Sequence, residues 1–392
     1  MRLLIVSNME HYGGAHGPVS PWASAIGEID ALATISNEVR HICALHSGEP
    51  PPGAVGYRSP NVQVVPVRPT GGRGWRAKAG VVAAIPAYAR EIRAQLDWAD
   101  AVQVRAPSNI AIPALALLAA RRTPARRWIK YAGEWNGRPG EPAAYRLQRT
   151  VLRWNAARAR VGVCGPEANS KHLFWVPNPS LWRDQIDRAE LETREKRLSR
   201  PLELLFAGRL DGFKGADRAI AIVPQLRRLG IKAVLRIAGA GPQLGTLRRR
   251  AAEAGVSPQV IFYGWLDRES LHRLYVRAHG IVAPSETEGW PKVLSEAMAH
   301  RVVPFAAAVG AVPETLARAR AGKALPPGSA GLWASEIAKT AGDAEEWRRE
   351  ADRAQAASRA YSYERYLESA RLLLDCPETA DSPRGVLAEE VR

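Results

Sequence analysis

Short apolar runs recur along the chain, each followed by a glycine- or proline-bearing break and then a stretch with helical spacing. In the first half they fall at 2–7, 39–44, 62–67, 101–105, 127–131 and 161–165. In the second they fall at 202–207, 234–238, 260–263, 280–283 and 302–307. Runs apolar at successive positions predict strands covered on both faces, and strands alternating with helices predict parallel sheets. Ser20 and Pro21 read as the cap and first turn of a helix reaching residue 35, and Asp267 as the cap of a helix over 268–279. Segments 46–60 and 68–74, rich in proline and glycine, predict loops, and the charged stretch 180–200 predicts a linker or an exposed helix. From residue 331 the spacing turns helical and stays so to about residue 374. At 392 residues the chain is long for one core, so two domains are expected. The expected boundaries are 1–178, 179–356, a returning helix over 357–376 and a loose polar tail over 377–392.

In open parallel sheets ligands sit at the carboxyl ends of the strands, so the loops there carry the candidate chemistry. The most informative follows the run at 280–283. Pro284, Ser285 and Gly289 break the pattern, Pro291 suits a helix first turn, and Val293, Leu294, Ala297 and Met298 recur at helical spacing. A helix N-terminus in that position is a natural seat for phosphate. Glu288 lies in the loop and Glu296 two turns into the helix; carboxylate oxygens accept hydrogen bonds from sugar or ribose hydroxyls. Glu288 and Glu296, with seven residues between them, resemble the E-x7-E signature of retaining glycosyltransferases. Glu296-Ala297-Met298-Ala299 resembles the E-A-M-A that closes it in family 4 members with the GT-B fold.

Other loops extend the resemblance. Gly208-Arg209 with Lys214-Gly215 is similar to the family's G-R-x5-K-G element, which implies that Arg209 and Lys214 bind the donor diphosphate. Gly239 begins a loop expected to pass closely beneath the nucleotide, and Trp265, after Gly264, is the residue the resemblance sets against the nucleobase. Gly310-Ala311-Val312-Pro313-Glu314 is similar to the family's segment with two glycines before Pro-Glu; here the second is Ala311. In the first half, Gly13 and Gly14 resemble the Gly-Gly loop whose backbone approaches donor phosphate and acceptor. Where many members carry a His near the reacting sugar, this chain has Arg105 and Glu134. Val176-Pro177-Asn178 resembles the hand-over between domains.

Composition narrows the classes further. No apolar run approaches the length of a membrane-spanning helix; the nearest, 110–120, contains Pro113. The three cysteines, Cys43, Cys164 and Cys376, form no metal spacing and no disulfide framework, which fits a reducing cytoplasm. The net charge of +16 favours anionic partners, yet no recognition helix, zinc finger or aromatic RNA motif is visible, so no nucleic acid partner is expected.

The resemblance implies an α/β protein of the GT-B type, two Rossmann-like doubly wound domains facing across a cleft. The last helix would cross back to the first domain. It implies a retaining, metal-independent hexosyltransferase with no cofactor beyond its nucleotide-sugar substrate. Arg209, Lys214 and Glu288 would be catalytic. Gly13, Gly14, Gly208, Gly239, Trp265, Gly289, Trp290, Pro291, Lys292, Val293 and Glu296 would join them in holding the donor. His11, His16, Arg105, Glu134, Trp135 and Asn136 are the acceptor-side candidates. The acceptor is expected to be a glycan or lipid-linked glycan of the cell surface, reached by peripheral contact with anionic membrane on the cytoplasmic face. On the residues alone two other readings stay open: another GT-B enzyme such as a sugar-nucleotide epimerase, and a non-catalytic binder of anionic polymer.

Overall fold

The computed structural model describes residues 1–72, 74–137, 140–165 and 171–375, and these divide into two compact units. Unit 1 takes Met1–Val176 with the segment from Tyr366 on, and unit 2 takes Pro177–Arg365. The expected tail over 377–392 lies outside the described residues, as does Cys376.

Unit 1 runs β1 (Arg2–Tyr12), β2 (Val19–Ser20), α1 (Ala23–Ala33), β3 (Glu38–His46), β4 (Val55–Gly56), β5 (Val62–Val67), α2 (Trp75–Trp98), β6 (Ala101–Ala106), α3 (Ala111–Ala120), β7 (Arg126–Tyr131), α4 (Ala143–Arg153), β8 (Arg160–Val163) and β9 (Leu173–Trp175). Its main sheet is parallel, in the order β5-β3-β1-β6-β7-β8-β9. Leu3 to Val6 are inaccessible on both faces, which is why this strand reads as a continuous apolar run. One expectation is corrected here. Ser20 does not cap a helix: Val19–Ser20 pairs antiparallel to the end of β1, and Ser20 Oγ accepts the Trp22 N–H at 3.2 Å. The helix begins three residues later, at Ala23. A polar side chain that can bond a nearby N–H serves a strand-to-helix turn as well as a cap, so the local signal was ambiguous.

Unit 2 runs α5 (Arg183–Thr193), β10 (Leu202–Ala207), α6 (Ala216–Arg228), β11 (Ala233–Ala238), α7 (Leu244–Glu253), β12 (Val260–Gly264), α8 (Arg268–Arg277), β13 (Gly280–Ala283), α9 (Lys292–Ala299), β14 (Val303–Ala307), α10 (Val312–Ala319), β15 (Lys323–Leu325), α11 (Ala330–Gly342) and α12 (Ala344–Ser358). The sheet is wholly parallel, β12-β11-β10-β13-β14-β15, the doubly wound order that reverses direction between β10 and β13. Its core joins Leu204, Phe206, Leu235 and Ile237 of the sheet to Ile220, Val223 and Leu226 of α6 and to Trp333 and Ile337 of α11. The charged stretch 180–200 holds α5, whose Ile186 and Ala189 are buried. The last helix, α13 (Tyr363–Asp375), begins in unit 2, and from Tyr366 on it belongs to unit 1, where Tyr366 is fully buried against Trp128. Among the described residues no helix is long and apolar enough to cross a membrane.

Candidate functional site

The strand-order reversal in unit 2 sets the loops after β10 and β13 side by side at the carboxyl edge of the sheet. The loop after β10 is shaped by Asp211. Its Oδ1 accepts the N–H groups of Phe213 and Lys214, each at 3.1 Å, and its Oδ2 holds the Arg209 guanidinium at 2.8 Å. The same carboxylate therefore turns the chain and aims the cation. Lys214 reaches across and pairs with Glu288 of the loop after β13. Gly215 then takes φ +76 to open α6; a Cβ there would sit 2.4 Å from the Pro284 carbonyl oxygen.

Arg218, in the first turn of α6, ties the two loops together. Its Nε donates to the Pro284 carbonyl at 2.8 Å, its Nη1 pairs with Glu286 at 3.1 Å, and its Nη2 donates to the Gly212 carbonyl at 3.3 Å. The Glu286 N–H adds a bond to the Phe213 carbonyl at 2.8 Å. Sequence reasoning passed over Asp211 and Arg218. A signal existed for the second: a cation in the first turn of a helix opposes the helix dipole and calls for another partner.

Beyond β10 the edge is built of chain against chain. Gly208 N–H donates to the Ala238 carbonyl at 3.0 Å, Leu210 N–H to Ala240 at 2.9 Å and Gly239 N–H to Gly264 at 2.7 Å. A Cβ on Gly239 would lie 1.8 Å from the Gly208 oxygen, so no other residue fits. On the far side, the Ala311 N–H donates to the Gly289 carbonyl at 2.9 Å, and Asn178 Nδ2 donates to the Trp290 carbonyl at 2.9 Å. These bonds hold the loop that delivers Glu288 and Pro291. Pro291, expected within the first turn, occupies the cap position of α9, and no side chain caps this end, leaving the N-terminus facing the same edge as Arg209 and Lys214. Trp265 follows Gly264 and is half exposed.

Trp290 corrects an expectation. Its indole is buried, donates to Ser295 Oγ at 2.6 Å and stacks on Tyr361 at 4.9 Å. It packs the loop from beneath, with its indole N–H satisfied inside the unit. Glu296 stands on α9 with Oε2 accepting from Tyr275 at 2.9 Å. Burial raises its pKa, against the Tyr275 bond and the positive charges of Arg268 and Lys292. Unlike Asp211, Glu286 and Glu288, its carboxylate is held by a tyrosine hydroxyl.

In unit 1, β1 runs on to Tyr12, and Gly13 and Gly14 follow it, Gly13 in open space and Gly14 beside the Gly17 carbonyl. His16 and Asn136 are exposed and Glu134 half-buried. His11, Arg105 and Trp135 depart from what the sequence suggests for acceptor contacts. Trp135 is buried edge-on against Tyr131. Arg105 pairs with the buried Glu28 at 2.9 Å. His11 is fully buried in a closed ring of hydrogen bonds. Its Nδ1 donates to the Met9 carbonyl at 3.2 Å, its Nε2 accepts from Tyr57 at 2.9 Å, and Tyr57 accepts from His41 Nδ1 at 2.6 Å. His41 Nε2 accepts from Ser7 Oγ at 2.7 Å, which accepts the Met9 N–H at 3.1 Å. Arg105 and His11 pack inward because their polar atoms find partners inside the unit, and Trp135 because its ring packs on Tyr131.

His11, His41 and Cys43 form the group of metal-ligand type among the described residues, their ligand atoms within 4.8 Å of one another. The fit to a cation is poor. The hydrogen-bond ring occupies the imidazole lone pairs, burial pushes the Cys43 thiol up to about 12, and the Arg105 charge lies close enough to disfavour a second cation.

The sequence model of the family described as glycosyl transferases group 1 matches residues 187–358. The chain is similar to the GDP-mannose-dependent alpha-(1-6)-phosphatidylinositol monomannoside mannosyltransferase of Mycobacterium tuberculosis. They are 32% identical over 166 residues, 40% of this chain and 43% of that protein. It is similar also to the glycogen synthase of the same organism, 34% identical over 146 residues, 37% of this chain and 35% of that one. The chain thus spans less than half the length of these relatives. Among solved structures it is similar to the sucrose-phosphate synthase of Thermosynechococcus elongatus, with a TM-score of 0.68 at 19% identity over 95% of this chain and 98% of that one. WaaG, a glycosyltransferase involved in lipopolysaccharide biosynthesis, gives a TM-score of 0.63 at 16% identity over 95% and 99%. At such identities the likeness is one of fold, and the fold is GT-B, as expected from the sequence.

Proposed function

We propose that this chain, whose residues 187–358 belong to the glycosyl transferases group 1 family, transfers a sugar from a nucleotide-sugar donor to a glycan or lipid-linked glycan acceptor with retention of anomeric configuration. The observation that carries the reading is the joining of Arg209, Lys214, Glu288 and the α9 N-terminus at one switch point. A departing nucleoside diphosphate needs positive charge where its own negative charge develops. Arg209 and Lys214 supply it, aided by the α9 N-terminus at Pro291, Lys292 and Val293. Protein cations take the part that a metal plays elsewhere, so no ion and no cofactor is required. The leaving phosphate oxygen accepts the proton of the incoming hydroxyl on the same face of the sugar, which keeps the configuration. Lys214 exchanges Glu288 for phosphate when the donor arrives, and the freed Glu288 carboxylate, with the backbone from Gly289 on, accepts hydroxyl hydrogen bonds from the sugar. Glu296 accepts those of the ribose. Trp265 stacks on the base, and Gly208 and Gly239 let backbone come close to the donor.

The acceptor side is read from charge and exposure. The net charge of +16 suits anionic membrane, and the first half of α2 exposes Trp75 and Val82 beside Arg76 and Lys78. A role in cell-surface glycan synthesis fits the lipid-linked mannoside made by the mannosyltransferase relative and the lipopolysaccharide role of WaaG, and the reading places it at the cytoplasmic face. His16, Glu134 and Asn136 remain candidates for acceptor contact. The test is a thermal-shift screen against UDP, GDP, ADP, CMP and dTDP sugars, followed by product analysis of the anomer formed. A stabilising donor whose sugar is transferred with retention, and salt-sensitive binding to anionic vesicles, are expected. Epimerised nucleotide sugar without transfer would overturn the reading.

A further inference from the structure

Glu296 is gripped from two sides by residues with no place in the reaction just described. Tyr275, buried on α8, donates to its Oε2 at 2.9 Å. His300, buried at the end of α9, lies 2.7 Å from the Glu296 carbonyl through Nδ1, and its ring stacks on Tyr275 with centroids 5.1 Å apart. His300 Nε2 is 2.8 Å from His272 Nδ1, and His272 Nε2 is 2.8 Å from the Glu192 carboxylate on α5. Glu192 is held in turn by the exposed Arg188 at 2.7 Å.

Counting protons fixes the inner end of this row. A carbonyl only accepts, so His300 Nδ1 carries a hydrogen. Burial keeps the His300 ring neutral, with its pKa pushed down to about 3, so Nε2 is a bare acceptor. The Arg188 hydrogen bond, with that of His272, lowers the Glu192 pKa, so this carboxylate accepts from His272 Nε2. The row thus runs from the C-terminal end of α9 through His300 and His272 to the Glu192 carboxylate. Lys196 reinforces that end, donating to the carbonyls of Tyr275 at 3.0 Å, Ala278 at 2.9 Å and His300 at 2.6 Å.

We infer that Tyr275, His300 and His272 are positioning residues for Glu296, a relay that fixes this carboxylate for the ribose hydroxyls and anchors it through Glu192 to Arg188 on the surface. The inference rests on the reading of Glu296 as the ribose ligand. It predicts a signature that simple packing does not produce. Tyr275→Phe keeps the ring and its stacking and loses one hydroxyl, and His272→Asn breaks the row further out. Each should weaken recognition of the ribose hydroxyls and leave the rest of the nucleotide bound as before.

The experiment titrates full-length protein with UDP, GDP and ADP, takes the tightest of the three, and compares it with its 2′,3′-dideoxy counterpart. Wild type should prefer the ribo form about tenfold. Glu296→Gln should abolish that preference, Tyr275→Phe should cut it to about threefold, and His272→Asn should lower it in the same direction. Affinity for the dideoxy form should stay constant throughout, and in turnover the donor KM should rise with kcat unchanged. If Glu296→Gln abolishes the preference while Tyr275→Phe and His272→Asn keep it whole, the relay is refuted and the ribose role stands. If Glu296→Gln leaves it intact, the ribose role fails and the relay fails with it. Histidine ¹⁵N NMR gives an independent check: His300 protonated on Nε2 would overturn the proton count.

Discussion

Gly310→Ala isolates the support of the loop that carries Glu288. Gly310 sits at φ +53, and a Cβ there would lie 2.0 Å from the Glu288 carbonyl oxygen and 2.6 Å from that of Gly289. The left-handed conformation costs an alanine roughly 1–2 kcal/mol. The clash adds to it, because both partners are backbone and no rotamer change relieves it. Reaching even 3.0 Å requires the Glu288 carbonyl to retreat by 1.0 Å. That movement breaks the alignment of Glu288 with Lys214 and stretches the Ala311 N–H bond to Gly289. A displacement of this size at a site built on positioning costs on the order of 100-fold in turnover. The neighbour is the control. Ala311→Gly keeps the same N–H, and Ala311 sits at an ordinary φ of −83, so the change should cost at most about 1 kcal/mol and leave donor binding near wild type. Isothermal titration with nucleoside diphosphate, urea unfolding and a donor turnover assay measure all three quantities. If Gly310→Ala binds and turns over within twofold of wild type with normal stability, the account of this loop is wrong.

Other outcomes follow from groups already placed. Lys196→Met should cost about 3 kcal/mol in urea unfolding, because three helix-end carbonyls lose an ammonium donor together; a change below 1 kcal/mol would remove it as the tie between α8 and α9. Acid should loosen unit 2 well above the carboxylate range. Burial lowers His279 to about 4 and His300 to about 3, so their contribution is complete above about pH 6.5 and is lost as pH falls from there toward those values. The loss is about 2 kcal/mol each by pH 5, and equal unfolding midpoints at pH 7 and pH 5 would contradict it. Donor affinity should have an acid limb above the ordinary glutamate value of 4.5, since burial raises Glu296 and a protonated carboxyl accepts ribose hydroxyls poorly; the limb should vanish in Glu296→Gln. Arg209→Ala and Lys214→Ala should each depress kcat by about 100-fold; wild-type rates in both would end the diphosphate assignment.

Much of this architecture can be read from patterning, because strands buried on both faces announce themselves as apolar runs. The runs at 62–67, 202–207 and 280–283 coincide with β5, β10 and β13 to the residue. Short edge strands are less visible: β15 has three residues, and only pairing with β14 makes it a strand. The loop chemistry is legible where a local motif carries it, as at Arg209, Lys214 and Glu288. It is illegible where distant residues meet. Nothing near Arg218 announces that Pro284 and Glu286 will be its partners, and nothing near Tyr275 announces Glu296. The inward turns of Trp290 and His11 have the same origin: an aromatic or imidazole beside a glycine loop looks poised for a ligand until the interior is seen to satisfy its polar atoms.

The backbone-on-backbone seam through Gly208, Gly239 and Gly264 has an evolutionary corollary. Because a Cβ on Gly239 would lie 1.8 Å from the Gly208 oxygen, mutation has almost nothing to work with at that crossing, and the contact is inherited whole or ruined. Drift toward a different donor would have to proceed through the outlying side chains that crown it, Trp265 and Phe213, which can be exchanged singly while the floor beneath them stays put.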